Sequence, residues 1–314
     1  MENLVLVSGQ VAVLFALTGV GVLCRRTGLI DAKAVGGFVN LLLYVVTPCL
    51  IIDVFSRPFD PSRLKSLGLA FGISAAIHLA GIAAASLAFR RKPDAQRPVL
   101  ALATAFSNAG FMGIPLEQAI LGDDGVFYGV AYVSVFNLFV WSWGYSAMSR
   151  GGVRESAWRR WRTVLVNPGT VGLALGLPLF LLSARLPAVL ASSVSHMASL
   201  NTPLAMVVIG WHLAGAKLGR VAKSFDAWLV ASIRLAAMPL LAILAMKCIG
   251  GGRLDRTMAI AVATAASAPV AAMVSMFSAK FGKDVDLSVG LVCGTTLASV
   301  ATMPPVIALA MSVF

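Results

Sequence analysis

The chain has 314 residues, of which 59% are hydrophobic and 12% are charged, and its formal net charge is +12. A soluble domain carries roughly 25% charged residues, so this composition excludes an ordinary soluble protein and indicates an integral membrane protein. The basic residues lie in short loops between apolar runs, which the positive-inside rule explains. They form no basic face of the kind that binds nucleic acid.

Ten apolar runs are long enough to cross a bilayer, which takes about 20 helical residues. The predicted spans in chain order are 4–24, 34–55, 66–89, 98–121, 125–149, 166–183, 188–215, 226–248, 256–279 and 285–312. The longest polar connection separates the fifth span from the sixth. We therefore predict an all-α membrane protein with a first half at 1–149, a linker at 150–165 and a second half at 166–314.

The distribution of Lys and Arg orients these spans in the membrane. Loops that follow odd-numbered spans carry 17 of these residues, and loops that follow even-numbered spans carry 7. The side with the excess is expected to be cytoplasmic. The linker is then cytoplasmic, and both termini are extracytoplasmic.

Three phrases recur in the same order in the two halves. They are Thr47-Pro48 with Thr202-Pro203, IHLAG at 77–81 with IRLAA at 233–237, and ATAFSNAG at 103–110 with ATAASAPV at 263–270. Because each half holds five spans, an odd number, the second half must enter the membrane in the opposite orientation. This pattern predicts an inverted repeat, a common transporter plan, and chance similarity between Ala-rich helices is the alternative.

Spans 4 and 9 contain helix-breaking residues at matching places. In a helix interior glycine costs about 1 kcal/mol and proline about 3 kcal/mol, so we predict unwinding around 107–115 and near 267–269. Irregular backbone at membrane depth must be surrounded by protein or line a cavity. Two matched breaks predict crossed, broken helices that frame a substrate site, and simple proline kinks are the alternative. The residues concerned are Asn108, Gly110, Gly113, Pro115, Ser267 and Pro269.

A few polar side chains lie within the spans. Arg234 is deep in span 8, at a cost of about 2.5–3.5 kcal/mol on insertion scales; we favour a structural tie to an unwound neighbour over a direct substrate contact. His78 occupies the matching position of span 3. Asn137, in span 5, is expected to bond between helices or to contact the substrate. Glu117 is interpreted as a solvated vestibule residue, with proton transfer as the alternative.

The sequence contains no motif for catalysis, metal binding or nucleotide binding. We accordingly predict a protein that is not an enzyme and that needs no cofactor or metal. Coupling to sodium or to protons is left open, because backbone carbonyls at helix breaks can bind cations.

Several motifs resemble the auxin efflux carrier family, whose bacterial members include malonate-permease-like and other organic-acid permeases. SNAGFMGIPL at 107–116 is similar to the span-4 signature of that family. The resemblance covers essentially the whole chain. The other motifs that carry it are NLLLYVVTPCLIIDVF at 40–55, NPGTVGLALGL at 167–177, TPLAMVVIGWHLAG at 202–215 and IRLAAMPLL at 233–241.

The resemblance implies ten helices in two inverted five-helix repeats, with helices 4 and 9 crossed, as in the sodium–bile acid symporter architecture. It implies a scaffold domain at 1–55 and 166–215 and a transport domain at 66–149 and 226–314. It also implies a multi-pass protein of the bacterial inner membrane and a homodimer formed through the scaffold helices.

The resemblance also implies a substrate site at the crossed helices. Asn108 matches the motif asparagine, Pro269 the span-9 proline and Asn137 a polar span-5 position. Ser107 replaces a proline of the plant carriers, which moves the expected centre of the break toward Ser107 and Asn108. The predicted substrate-binding residues are Asn108, Ser107, Gly110, Asn137, Ser267, Ala268, Pro269, Arg234, His78, Thr47 and Thr202.

These observations predict a secondary carrier that moves a small organic anion by elevator-type alternating access. Malonate, another carboxylate and an auxin-like acid are the candidate substrates. The other expected partners are the bilayer and, through the resemblance, a second copy of the chain; no nucleic acid is expected. Two alternatives are a sodium-coupled carrier like the bile acid symporters and a non-transporting membrane sensor on the same scaffold. The sequence does not identify the substrate, the direction of transport or the coupling ion.

Overall fold

The computed structural model describes residues 1–149, 168–216, 218–250 and 254–314. Within these ranges the regular elements are helices, apart from one isolated β-bridge between Ser107 and Val270. The predicted linker at 150–165 lies outside the described residues.

Five helices form the first half of the chain. They are α1 Glu2–Arg26, α2 Ala32–Phe55, α3 Pro61–Ala88, α4 Arg97–Ala105 and α5 Ala109–Met148. Polar residues begin two of them, as capping requires. The Asp31 carboxylate accepts from the Ala34 N–H at 2.7 Å, and Asp60 caps α3 just before a proline in its first turn.

Seven described helices form the second half. They are α6 Pro168–Leu181, α7 Ala188–Ala214, α8 Gly219–Ala222, α9 Phe225–Ile249, α10 Arg256–Ser267, α11 Met273–Lys280 and α12 Val285–Val313. Ser224, Asp255 and Asp284 cap α9, α10 and α12 through their side-chain oxygens.

Seven of the described helices are long and apolar enough to cross a membrane, namely α1, α2, α3, α5, α7, α9 and α12. Predicted spans 4 and 9 are each divided between two elements, α4 with the start of α5, and α10 with α11. Large apolar side chains are exposed along several helices, as a lipid environment allows. Examples are Leu23, Leu79, Leu175 and Leu244. The protein is therefore an integral membrane protein.

A glycine turn divides α5 into two parts, 109–121 and 123–148. Gly122 has φ +63° and ψ −156°, a conformation that side chains with a Cβ avoid. The turn coincides with the predicted loop between spans 4 and 5. Gly125 and Gly129 allow close packing after the turn, because a Cβ atom at Gly129 would overlap the Glu117 carboxylate.

Small residues also permit close helix pairs on the other side of the molecule. Gly21 of α1 and Gly210 of α7 lie where a Cβ atom would collide with the backbone of the partner helix, as small residues do at membrane helix interfaces. Gly172 and Gly176 of α6 lie against α2 in the same way. These pairs flank a second group in which α10 packs against α5, α9 and α12.

Candidate functional site

The two predicted helix breaks meet and pair with each other. Residues 106–108, between α4 and α5, run antiparallel to residues 269–271, between α10 and α11. The Asn108 N–H donates to the Pro269 carbonyl at 2.7 Å, and the Ala271 N–H donates to the Phe106 carbonyl at 3.1 Å. This crossing satisfies four backbone polar groups that would otherwise be costly at membrane depth.

The break in span 4 is shorter than the sequence predicted. Unwinding over 107–115 is wrong, because the chain returns to a helical path at Ala109 through a π-helical turn that ends at Gly113. Pro115 lies in the first turn of the regular helix that follows.

Arg234 lies on the side of the crossing where two helices end. Its guanidinium donates to the carbonyls of Ala105 at 3.2 Å and Thr104 at 3.5 Å, at the end of α4, and of Ala266 at 2.5 Å, at the end of α10. Helix C-terminal ends carry partial negative charge and unpaired carbonyls. The fully buried Arg234 therefore compensates both ends, which is the structural tie favoured above.

The opposite side of the crossing, where α5 and α11 begin, opens on a cavity of about 100 Å³, the central cavity. The N–H groups of residues 109–111 begin α5 and have no carbonyl partner within it. Residues of α2, α6 and α7 also line this cavity. The polar side chains in the lining are Thr47, Ser107, Asn108, Asn137 and Asn201.

Two further cavities adjoin the central one. The inner cavity, of about 500 Å³ and on the predicted cytoplasmic side, shares Asn108, Phe111, Ala272 and Met276 with it. The outer cavity, of about 290 Å³, shares Leu50, Ile114 and Asn201 with it and is also lined by Asp53. Asn108, only 6% exposed, thus contacts both the central and the inner cavity.

The structure brings about half of the predicted site residues to these cavities. The central cavity is lined by Thr47, Ser107, Asn108, Gly110 and Asn137, and Thr202 lines the outer cavity. The other predicted residues form hydrogen bonds with other described residues and line none of the three cavities. They are His78, Arg234, Ser267, Ala268 and Pro269.

Local bonds explain two of these placements. The Ser267 hydroxyl donates to the Thr264 carbonyl at 2.8 Å and closes the last turn of α10. His78 is fully buried among aromatic rings, and its Nδ1 lies 2.7 Å from the Ser74 carbonyl. The nearest ring is that of Tyr132, with centroids 4.7 Å apart.

Sequence reasoning missed three residues that support the crossing or line the cavity. The Thr295 hydroxyl accepts from the Val270 N–H at 3.1 Å, the Tyr132 hydroxyl accepts from Ser107 at 3.3 Å, and Asn201 lines the central cavity. Asn201 directly precedes the repeated Thr202-Pro203, and Thr295 belongs to a GTT run inside an apolar span. Both signals were therefore visible in the sequence.

Glu117 is placed differently from its predicted role. The interpretation as a solvated vestibule residue is wrong, because Glu117 is fully buried and neither carboxylate oxygen has a hydrogen-bond partner among the described residues. The next residue, Gln118, is exposed and lines the outer cavity. Glu117 instead points between the two parts of α5, where Gly129 leaves room for its carboxylate.

A comparison with protein families gives one match along nearly the whole chain. A family model described as "Membrane transport protein" matches residues 6–307. No curated protein matches the chain.

Proposed function

The chain belongs to the membrane transport protein family of the auxin efflux carriers, and we propose that it is a secondary carrier for a small organic anion. The observation that carries this proposal is the crossing, where two helices begin at a cavity that Asn108 lines. Helix N-terminal ends present free N–H groups and partial positive charge, the features that bind anions.

The lining of the central cavity favours one class among the candidate substrates. None of its described lining side chains is charged, and most are apolar or aromatic, including Tyr44, Phe111, Phe136 and Trp141. One carboxylate can bond to the Asn108 amide and to the N–H groups of residues 109–111. A second carboxylate, as in malonate, would find only neutral side chains such as Thr47, Asn137 and Asn201 in the lining and no counter-charge, and burying a second charge in this way has a high desolvation cost. We therefore favour a monocarboxylate with an apolar body.

The position of the cavity supports the elevator-type movement implied by the resemblance. In this proposal, residues 1–55 and 166–215 form the scaffold, and residues 66–149 and 226–314 move. Thr47, Gly169 and Asn201 then line the cavity from the scaffold, and Asn108 and Asn137 line it from the moving part. Movement of one part against the other can then expose a site at this boundary alternately to the inner and the outer cavity.

The test is uptake into proteoliposomes of three labelled acids, namely phenylpyruvate, indole-3-acetate and malonate. We expect uptake of the two aromatic monocarboxylates above that of protein-free liposomes. Asn108→Ala should lower this uptake about tenfold, which corresponds to about 1.4 kcal/mol of lost binding. The matched control is Asn3→Ala, at the start of α1 and away from all three cavities.

Two outcomes would contradict the proposal. Unchanged affinity and rate in Asn108→Ala would place the site elsewhere. Binding of these acids without uptake would support the sensor alternative.

A further inference from the structure

Among the described residues, Glu117 is the one fully buried acidic side chain, and the carrier function proposed above gives it no role. It lies on the first part of α5, nine residues after Asn108. Neither Oε1 nor Oε2 has a hydrogen-bond partner in the part of the chain that the structure describes. Buried carboxylates are normally hydrogen-bonded or paired, so this arrangement requires an explanation.

Two glycines, one on each part of α5, lie next to the carboxyl group. A Cβ atom at Gly129, on the second part of α5, would overlap Oε2, and one at Gly113 would lie 3.6 Å from Oε1. Gly113 in turn lies against the backbone of Ala265 on α10. The two glycines therefore make the space that the carboxyl group occupies.

Several charged and titratable groups on α5 and on the elements packed against it have other partners or face other spaces. They are Asp53 and His212, which line the outer and inner cavities; His78 and Arg256, which bond to carbonyls; Tyr128, which donates to Asp255; and Asp123 and Asp124, which bond to Gln118 and to two arginines.

The surroundings of the carboxyl group favour a proton over a metal cation as its ligand. An ionised carboxylate with neither counter-charge nor donors costs several kcal/mol in the interior of a protein, and such a group takes up a proton instead. A metal cation would need several oxygen ligands around it. The enclosing Gly113 and Gly129 supply no side-chain oxygen, so the site suits a proton.

We propose that the Glu117 carboxyl group is a proton-binding site that couples anion transport to proton movement; this rests on the proposed carrier function. In the enclosed state the proton is bound to a carboxyl oxygen. When the site opens, the O–H bond breaks and the proton passes to water in the outer cavity, which the neighbouring Ile114 and Gln118 line. Because Asn108 directly precedes the helix that carries Glu117, a bound monoanion and the proton move together as an electrically neutral pair.

The protonation state is tested by infrared difference spectroscopy of the purified protein at neutral pH, which does not depend on transport. We expect a carbonyl stretching band of a protonated carboxylic acid that Glu117→Gln lacks. The matched control is Glu2→Gln, an exposed glutamate at the start of α1, which should keep the band. A spectrum in which Glu117→Gln loses only carboxylate bands would show an ionised Glu117 and overturn the proposal.

Coupling is tested by uptake of labelled phenylpyruvate, which is ionised at all pH values used, under imposed pH or sodium gradients. In the unmodified protein and in Glu2→Gln, accumulation of phenylpyruvate should rise with an inward proton gradient. In Glu117→Gln this rise should be about tenfold smaller. Glu117→Asp, which keeps an acid, should restore part of it. Melting temperature reports folding of each variant.

The results separate this inference from the carrier function. A full proton response in Glu117→Gln, or a response to sodium alone, overturns the inference and leaves the carrier function intact. Absence of phenylpyruvate uptake by the unmodified protein, with a protonated Glu117 in the infrared spectrum, counts against the carrier function and against coupling but not against the proton site.

Discussion

Two buried polar residues near the crossing, Arg234 and Asn108, have different roles there. The Arg234 guanidinium donates its hydrogen bonds to the carbonyls where α4 and α10 end. Asn108 uses its backbone N–H for the crossing and leaves its side chain at the cavities. The positive charge of Arg234 thus lies at the helix C-terminal ends, which carry partial negative charge, and the Asn108 amide lies at the helix N-terminal ends, which carry partial positive charge. At the scale of the residue, the basic group holds the crossing and the neutral amide faces the substrate.

Replacing Arg234 should therefore affect stability more than substrate recognition. Arg234→Met leaves two or three buried carbonyls unpaired, and each such loss costs about 1–3 kcal/mol. We expect a clearly lower melting temperature in detergent, with Arg234→Lys intermediate because one ammonium cannot reach both helix ends as a planar guanidinium does. A variant of unchanged melting temperature and weakened phenylpyruvate binding would instead make Arg234 a substrate contact.

The space around Glu117 gives a second prediction at the same scale. Gly129→Ala places a Cβ atom on the Glu117 carboxylate, and such overpacking costs about 1–3 kcal/mol. Combining it with Glu117→Ala should remove the clash, so the two effects should not add. Thermal unfolding of the two single variants and the double variant measures this coupling.

Gly68→Ala on α3 is the control for this comparison of single and double variants. Nothing lies within 4 Å of a Cβ atom there, so the substitution should be neutral or slightly stabilising in a helix. Additive effects of Gly129→Ala and Glu117→Ala would show that the carboxylate does not lie against Gly129.

The helices and the helix break differ in how well they can be predicted from their own sequences. Apolar runs with polar caps such as Asp31 and Asp60 predict α1, α2 and α3 well, because these helices are local structures in lipid. The extent of the span-4 break was not predictable in the same way. Its backbone is paired with residues 269–271, about 160 positions away, and that partner decides where the helix resumes. The burial of Glu117 likewise depends on Gly129, across the turn at Gly122.

A polar cluster at the predicted extracytoplasmic ends of the helices gives a prediction for pH. Asp124, after the glycine turn, accepts from Arg63 at 2.7 Å and pairs with Arg57. The hydrogen bond from Arg63 lowers the pKa of Asp124 below its usual value. A lowered pKa means that the ionised form stabilises the fold above the ordinary aspartate pKa, about 3.9, and that this stabilisation is lost as the pH falls further.

We expect the melting temperature to fall as the pH drops below about 4, and Asp124→Asn to reduce this dependence. Because the Asp124 side chain is about half exposed, the contribution of its ion pairs should be below about 1 kcal/mol. An identical pH profile in Asp124→Asn would show that these ion pairs contribute nothing. Asp94→Asn, on the opposite side near α4, is the matched control.

At the scale of the whole molecule, the central cavity lies between the two groups of helices that the proposal separates. If one group moves, a covalent link across the cavity must stop transport. In a background without the four native cysteines, we expect cross-linking of Thr47→Cys with Met273→Cys to block phenylpyruvate uptake and a reductant to restore it. Both residues line the cavity, one from each of the two proposed groups.

The control pair, Thr47→Cys with Gly169→Cys, lies within the proposed scaffold and lines the same cavity. Its cross-link should leave uptake intact. Equal inhibition by both pairs would indicate that a disulfide merely obstructs the cavity, and full uptake with the first pair linked would exclude the elevator movement.

The central claim is that the crossing binds the carboxylate of the substrate on its positive side. The most direct measurement is an experimental structure of the protein saturated with phenylpyruvate. We predict that the carboxylate lies within hydrogen-bond distance of the Asn108 amide and the N–H groups of residues 109–111, with the ring against Phe111 or Trp141. A carboxylate bound to Arg234, or a ligand outside the central and inner cavities, would contradict the account.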